Sequence, residues 1–180
     1  MSVCGREDAR TSRLLVCLDL QRGSIADGQG PDGCLVNCRR MLEHAREEGW
    51  RIIHVHSKKA DPADAKPIDG LHPLLTEPVV YRDGLSPFSN RIFRNLLASL
   101  GSVELVVIGY SKTSSFVATA LIAFDQELSV TLVEDSVCPA MLDQETRDAI
   151  TLLGRKTAGR FLTLACADDL IGRPRLRRVV

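Results

Sequence analysis

Short continuous apolar runs alternate along this chain with segments whose apolar residues recur at helical spacing. Arg13-Leu14-Leu15-Val16-Cys17-Leu18-Asp19 is the first run. It is nearly unbroken and ends on a carboxylate, the pattern of a central strand covered on both faces. Leu20 to Gly33 is rich in glycine and reads as loop. In Cys34 to Glu48, the residues Leu35, Cys38, Met41, Leu42 and Ala45 make one apolar stripe, so a helix is expected, closed by Gly49. Trp50 to His56 is a second strand. Ser57 to Pro78 is broken by Asp61-Pro62, Lys66-Pro67, Asp69-Gly70 and His72-Pro73, and reads as a long connection of the kind that forms lids or binding loops.

Pro78 to Tyr81 is a short strand, Arg82 to Pro87 a turn, and Asn90 to Leu100 a helix with Ile92, Phe93, Leu96, Leu97 and Leu100 on one side. Val103 to Ile108 is a strand stopped by Gly109. A cluster of hydroxyls follows, and then good helix material from Phe116 to about Glu127. Strands over Ser129–Glu134 and Gly159–Ala165, and helices over Asp143–Leu153 and Ala167–Ile171, complete the alternation. Repeated strand and helix imply right-handed βαβ units. The expected fold is α/β: a three-layer α/β/α Rossmann-like fold on an open parallel sheet of about six strands. Ligands of such folds bind at the C-terminal edge of the sheet.

A length of 180 residues fits one domain, expected over 13–171, between an N-terminal arm (1–12) and a basic tail (172–180). Lysine plus arginine equals aspartate plus glutamate, 23 each, so no charge excess argues for nucleic acid or an anionic membrane. No apolar run approaches the ~20 residues of a membrane span, and Met1 to Arg13 lacks the apolar core of a signal peptide. A cytoplasmic location is the expectation. Six cysteines in such a chain then read as free thiols. Cys34 and Cys38 share a helix face and could be half of a metal site, but no second pair has ligand spacing, and packing is the favoured reading.

Three polar residues stand at strand ends on the favoured edge: Asp19, Arg82 and Ser115. Each also has a plain reading. Asp19 could cap the following loop, Arg82 could pair with Asp83, and Ser115 could be one of several helix-start hydroxyls.

Four short motifs resemble the isochorismatase-like cysteine hydrolases, over about Arg13 to Ala165. They are Leu18-Asp19-Leu20-Gln21, Leu85-Ser86-Pro87-Phe88, the elbow from Gly109 to Thr119, and Val133-Glu134-Asp135-Ser136. The resemblance implies a site built from Asp19, Arg82 and Ser115, with Gln21, Phe88, Tyr110, Ser111 and Ser114 lining the substrate pocket. In the family the three central positions are Asp, Lys and Cys, so arginine and serine stand here for lysine and cysteine.

A helix-start cysteine is readily a thiolate, whereas a serine needs a base. Arginine neither gives nor takes a proton near neutrality, but it can hold Asp19 or clamp a substrate carboxylate. The thiol-ester route is therefore not expected. Two readings remain open. One is a hydrolase without a cysteine nucleophile, acting on a small carboxylate-bearing or amide metabolite, with Asp19 as proton donor. The other is an inactive homologue that binds a small ligand or serves as an assembly subunit.

The resemblance also implies a homo-oligomer. No cofactor and no metal are expected. His54 and His56 share a strand face, but the adjacent Lys58 and Lys59 oppose a cation, so one histidine is expected to line the pocket and the other to pack or hydrogen-bond. Gly28 to Gly33 is read as a turn with helix-cap residues rather than a nucleotide loop.

Overall fold

The structure is a computed structural model that describes residues 12–25, 33–138, 144–156 and 161–172. The expected arm, the basic tail beyond residue 172 and most of the Gly28–Gly33 turn lie outside the described residues. Six strands form one sheet: β1 (Ser12–Leu18), β2 (Arg51–Ser57), β3 (Val79–Arg82), β4 (Val103–Tyr110), β5 (Ser129–Cys138) and β6 (Leu162–Ala165). The order is β3-β2-β1-β4-β5-β6, and every pair is parallel. The helices are α1 (Gly33–Glu47), α2 (Arg91–Leu100), α3 (Thr113–Asp125), α4 (Gln144–Lys156) and α5 (Ala167–Ile171). The expected α/β fold with a six-stranded parallel sheet is present.

Both faces of β1 are buried, which explains its continuous apolar run. Leu14, Val16 and Leu18 face a core closed by Phe93 and Leu97 of α2, Phe116 and Ala120 of α3, and Ile150 of α4. Leu15 and Cys17 face a second core closed by Leu35, Met41 and Leu42 of α1 and Ala167 of α5. Right-handed crossovers require this division. The chain leaves β1 leftward through α1 and later moves rightward through α3 and α4. The reversal falls between β1 and β4, the switch point where open α/β sheets bind ligands.

Helix α2 begins at Asn90, whose side-chain oxygen accepts from the Ile92 and Phe93 amides at 2.7 and 3.2 Å.

Three expectations are corrected. The strand expected to stop at Glu134 continues to Cys138. Between the pairs Val107↔Leu132 and Gly109↔Val137 the register shifts, because β5 bulges while β4 runs on. Polar Glu134, Asp135 and Ser136 sit in the bulge, which is why the apolar pattern fails there. The Asp135 carboxylate accepts from the Ala167 amide at 2.9 Å and the Asn37 amide at 3.0 Å, joining β5 to α5 and α1.

The 57–78 connection is no free lid. Ile68 and Leu71 are buried in the second core. Arg39 donates to the Asp69 carbonyl at 3.0 Å, and Arg46 donates to the His72 carbonyl at 2.8 Å.

Cys34 and Cys138, expected as free thiols, form a disulfide with Cα atoms 5.9 Å apart. The β5 extension carries Cys138 to the start of α1, and no sequence spacing announces that.

Candidate active site

Asp19 follows the last residue of β1 and adopts φ 49°, in the left-handed region that aspartate tolerates better than most residues. Two backbone bonds hold it there. Its amide donates to Val55 O at 2.8 Å, and its carbonyl accepts from the Gln21 amide at 2.7 Å. The side chain is thereby turned along the sheet edge and is only 2% exposed.

Arg82 ends β3, two strands away. Register places Arg82 beside Ser57 at the end of β2, and its long side chain crosses that strand end. Nη2 donates to Asp19 Oδ2 at 2.6 Å, and Nε reaches both carboxylate oxygens at 3.2 Å. Nη1 donates to the Gly84 carbonyl at 2.6 Å. Ser111, immediately after β4, gives Asp19 Oδ2 a further donor at 2.6 Å. The guanidinium fork is thus spent on Asp19, and Arg82 does not stand free to clamp a substrate carboxylate. The plain readings of both residues fail here: Asp83 pairs with Lys58 at 2.6 Å instead, and the Asp19 carboxylate serves Arg82 and Ser111.

Ser115 lies in the first turn of α3, on the other side of the switch point. It is 1% exposed, and its hydroxyl has no hydrogen-bond partner among the described residues. Its amide donates to Lys112 O at 2.8 Å, and its carbonyl accepts from the Thr119 hydroxyl at 2.7 Å. No side chain caps α3 at Lys112, so the start of this helix keeps its partial positive charge for another acceptor.

The remaining expected pocket residues divide. Ser111 joins Asp19 directly. Gln21 is fully buried; its oxygen accepts from the Ser57 amide at 3.0 Å and its amide donates to Ala65 O at 3.3 Å, which fixes the start of the long connection. Phe88 packs edge-on against Phe93 in the first core, and Tyr110 lies in the second core. Ser114 is exposed.

The Glu77 partner of His54 is a contact that sequence reasoning missed. His54 Nε2 lies 3.0 Å from Glu77 Oε2, and Arg46 holds the same carboxylate through two bonds of 2.8 and 2.9 Å. Glu77 is 23 residues beyond His54, and nothing local in the sequence links them. His56 is buried beside His54 and Tyr81, and its Nε2 has no hydrogen-bond partner among the described residues. Burial pushes the His56 imidazole down to about 4, and the neighbouring His54 adds to this, against the pull of Asp19. His56 is therefore neutral at pH 7.

A histidine depressed in the folded state binds its proton more readily when unfolded. Its stability contribution is complete above about pH 6.5 and is lost as pH falls toward 4. Glu77, held near 2 against the cost of its burial by bonds from Arg46, the Leu74 amide and His54, loses its contribution lower, between about pH 4.5 and 2. Denaturant unfolding across pH is expected to show both limbs, with His56→Gln flattening only the upper one.

None of the described free cysteines is favoured as a thiolate. Burial pushes Cys38 up to about 12 and Cys17 well above its ordinary value, and Cys166 is also raised by burial and by nearby carboxylates.

A cavity of about 350 Å³ opens at the opposite, N-terminal edge, bordered by Leu14, Trp50, Ile52, Leu74 and Glu77. None of Asp19, Arg82, Ser111 or Ser115 borders it. The sheet-edge chemistry and this cavity are separate features, and the convergent polar groups lie at the C-terminal edge.

The Isochorismatase domain family model matches residues 13–165. No curated protein matches the chain significantly. Among solved structures, an isochorismatase from Pseudomonas putida is 26% identical, with a TM-score of 0.70 over 86% of this chain and 88% of that one. An isochorismatase family protein from Desulfovibrio vulgaris, 23% identical, gives 0.72 over 91% and 100%. N-carbamoylsarcosine amidase from Thermoplasma acidophilum, 21% identical, gives 0.72 over 88% and 98%. The last two show likeness of fold. With its parallel sheet, its switch-point carboxylate and a family match over most of its length, the chain belongs to the isochorismatase family of hydrolases.

Proposed function

We propose that this protein hydrolyses a small carboxylate-bearing or amide metabolite at Asp19, Arg82 and Ser115, without a cysteine nucleophile. In this reading Arg82 and Ser115 occupy the positions of the family's lysine and cysteine. The observation that carries it is the buried Asp19 carboxylate, held by Arg82 and Ser111, at the same sheet edge as the unpartnered Ser115 hydroxyl. Asp19 is positioned to exchange a proton with substrate or water, Arg82 fixes the carboxylate in place, and Ser115 donates a hydrogen bond to the bound substrate. The uncapped start of α3 favours an anionic group there. Ser115 lacks a base partner, which argues against its acting as a covalent nucleophile.

One observation favours the alternative, a homologue that binds a small ligand without turnover. The Arg82 fork covers both oxygens of Asp19, leaving fewer acceptor positions for chemistry.

A panel of small carboxylate-bearing amides and enol ethers separates the two readings. Under the hydrolase reading, one class turns over, and Ser115→Ala retains activity within about tenfold, the loss of one hydrogen bond. Ligand-induced thermal stabilisation with no product from any class would establish the binding homologue. The proposal also keeps the expected cytoplasmic homo-oligomer, for which Ile92 of α2 and Leu121 and Ile122 of α3 supply exposed apolar positions.

A further inference from the structure

Three cysteine sulfurs, from Cys34, Cys38 and Cys138, lie within 4.8 Å of one another. Cys34 and Cys38 are one helical turn apart at the start of α1, and Cys138 ends β5. The disulfide accounts for two of the three. The third, Cys38, places its sulfur 4.0 Å from that of Cys138 and donates to Ser136 O at 3.3 Å.

Two chemistries use three close sulfurs. Thiol–disulfide exchange requires the attacking sulfur in line with the bond it breaks. With an S–S bond of ~2.05 Å and an approach near 4 Å, the outer sulfurs would lie about 6 Å apart. Here no pair exceeds 4.8 Å, so the sulfurs form a triangle rather than a line. A triangle suits coordination of a single ion. Thiolates bound tetrahedrally to zinc at ~2.3 Å are about 3.8 Å apart, close to the Cys38–Cys138 separation.

We propose that the reduced protein binds one soft divalent metal ion, of which Zn²⁺ is the type, through the thiolates of Cys34, Cys38 and Cys138. Reduction by a thiol or phosphine adds two electrons and two protons and opens the Cys34–Cys138 bond to two thiols. Metal binding then displaces the protons of the three thiols. Cys38 and Cys138 are buried, while Cys34 is half-buried and gives the ion its path in and an open fourth position. The carbonyl of Cys138 accepts from the Ser111 amide at 3.0 Å, and the Ser111 hydroxyl donates to Asp19, so one residue links this sulfur cluster to the carboxylate.

The test uses the full chain, reduced with a phosphine and desalted without oxygen, then titrated with Co²⁺ and Zn²⁺. One equivalent per chain is expected, with a thiolate-to-cobalt charge-transfer band displaced by Zn²⁺. Cys38→Ala, a small buried replacement, is expected to weaken binding more than about 100-fold. Cys34→Ser, at the half-buried position, provides a second variant with the same expected loss should Cys38→Ala fail to fold by near-ultraviolet circular dichroism. Cys17→Ala and Cys166→Ala are expected to bind as the parent does. Absence of a cobalt–thiolate band in the reduced parent, or unchanged binding in a folded Cys38→Ala or Cys34→Ser protein, would overturn the proposal.

Discussion

Gly109→Ala is expected to cost more than about 4 kcal/mol, a large fraction of the ~5–15 kcal/mol that holds an ordinary domain folded. Gly109 lies in β4 at φ 155°, paired with Leu18 of β1. A Cβ there would run into the carbonyl oxygen and amide nitrogen of Leu18. Those atoms are backbone at the centre of the sheet, so no side chain can swing aside to make room. Relief would require β1 and β4 to part, and with them the ends that carry Asp19 and Ser111. Denaturant unfolding at pH 7, or the yield of folded protein, reads the effect. A control at Gly33→Ala, where an added Cβ meets nothing within 4 Å, is expected to change stability little.

Asp19→Ala carries the second large effect, on stability as well as turnover. Removing the carboxylate leaves the Arg82 guanidinium, whose side chain is 14% exposed, without its partner. Breaking a buried pair from one side costs about 3–5 kcal/mol, because the remaining charge stays desolvated. Replacing both, as Asp19→Ala with Arg82→Met, is expected to recover most of that loss, since no charge is then stranded. The gentler Asp19→Asn keeps the shape and removes proton exchange. Under the proposed function it lowers turnover by about 10²–10⁴-fold while binding persists.

Much of the fold was legible because parallel strands buried on both faces write continuous apolar runs. Leu14 to Leu18 and Val103 to Ile108 are of this kind, and α1 shows its buried stripe residue for residue. The end of β5 was not legible, because its bulge holds Glu134, Asp135 and Ser136, and their partners come from α1, α4 and α5. Asp19 and Arg82 at strand ends, and Ser115 at the start of α3, could be singled out by position along the chain. What they touch could not. Arg82 reaches Asp19 only because β2–β3 register sets it beside Ser57, and that register is a tertiary property. The same limit hid the Glu77 partner of His54 and the approach of Cys138 to Cys34. Both depend on contacts between segments whose separation in sequence carries no signal.

The central claim is hydrolysis led by Asp19 with no covalent step at Ser115. Intact-protein mass spectrometry of the enzyme, quenched during turnover of whichever panel substrate it accepts, tests this most directly. The account predicts an unmodified mass at every time point while product accumulates. A transient adduct mapping to Ser115 would contradict it.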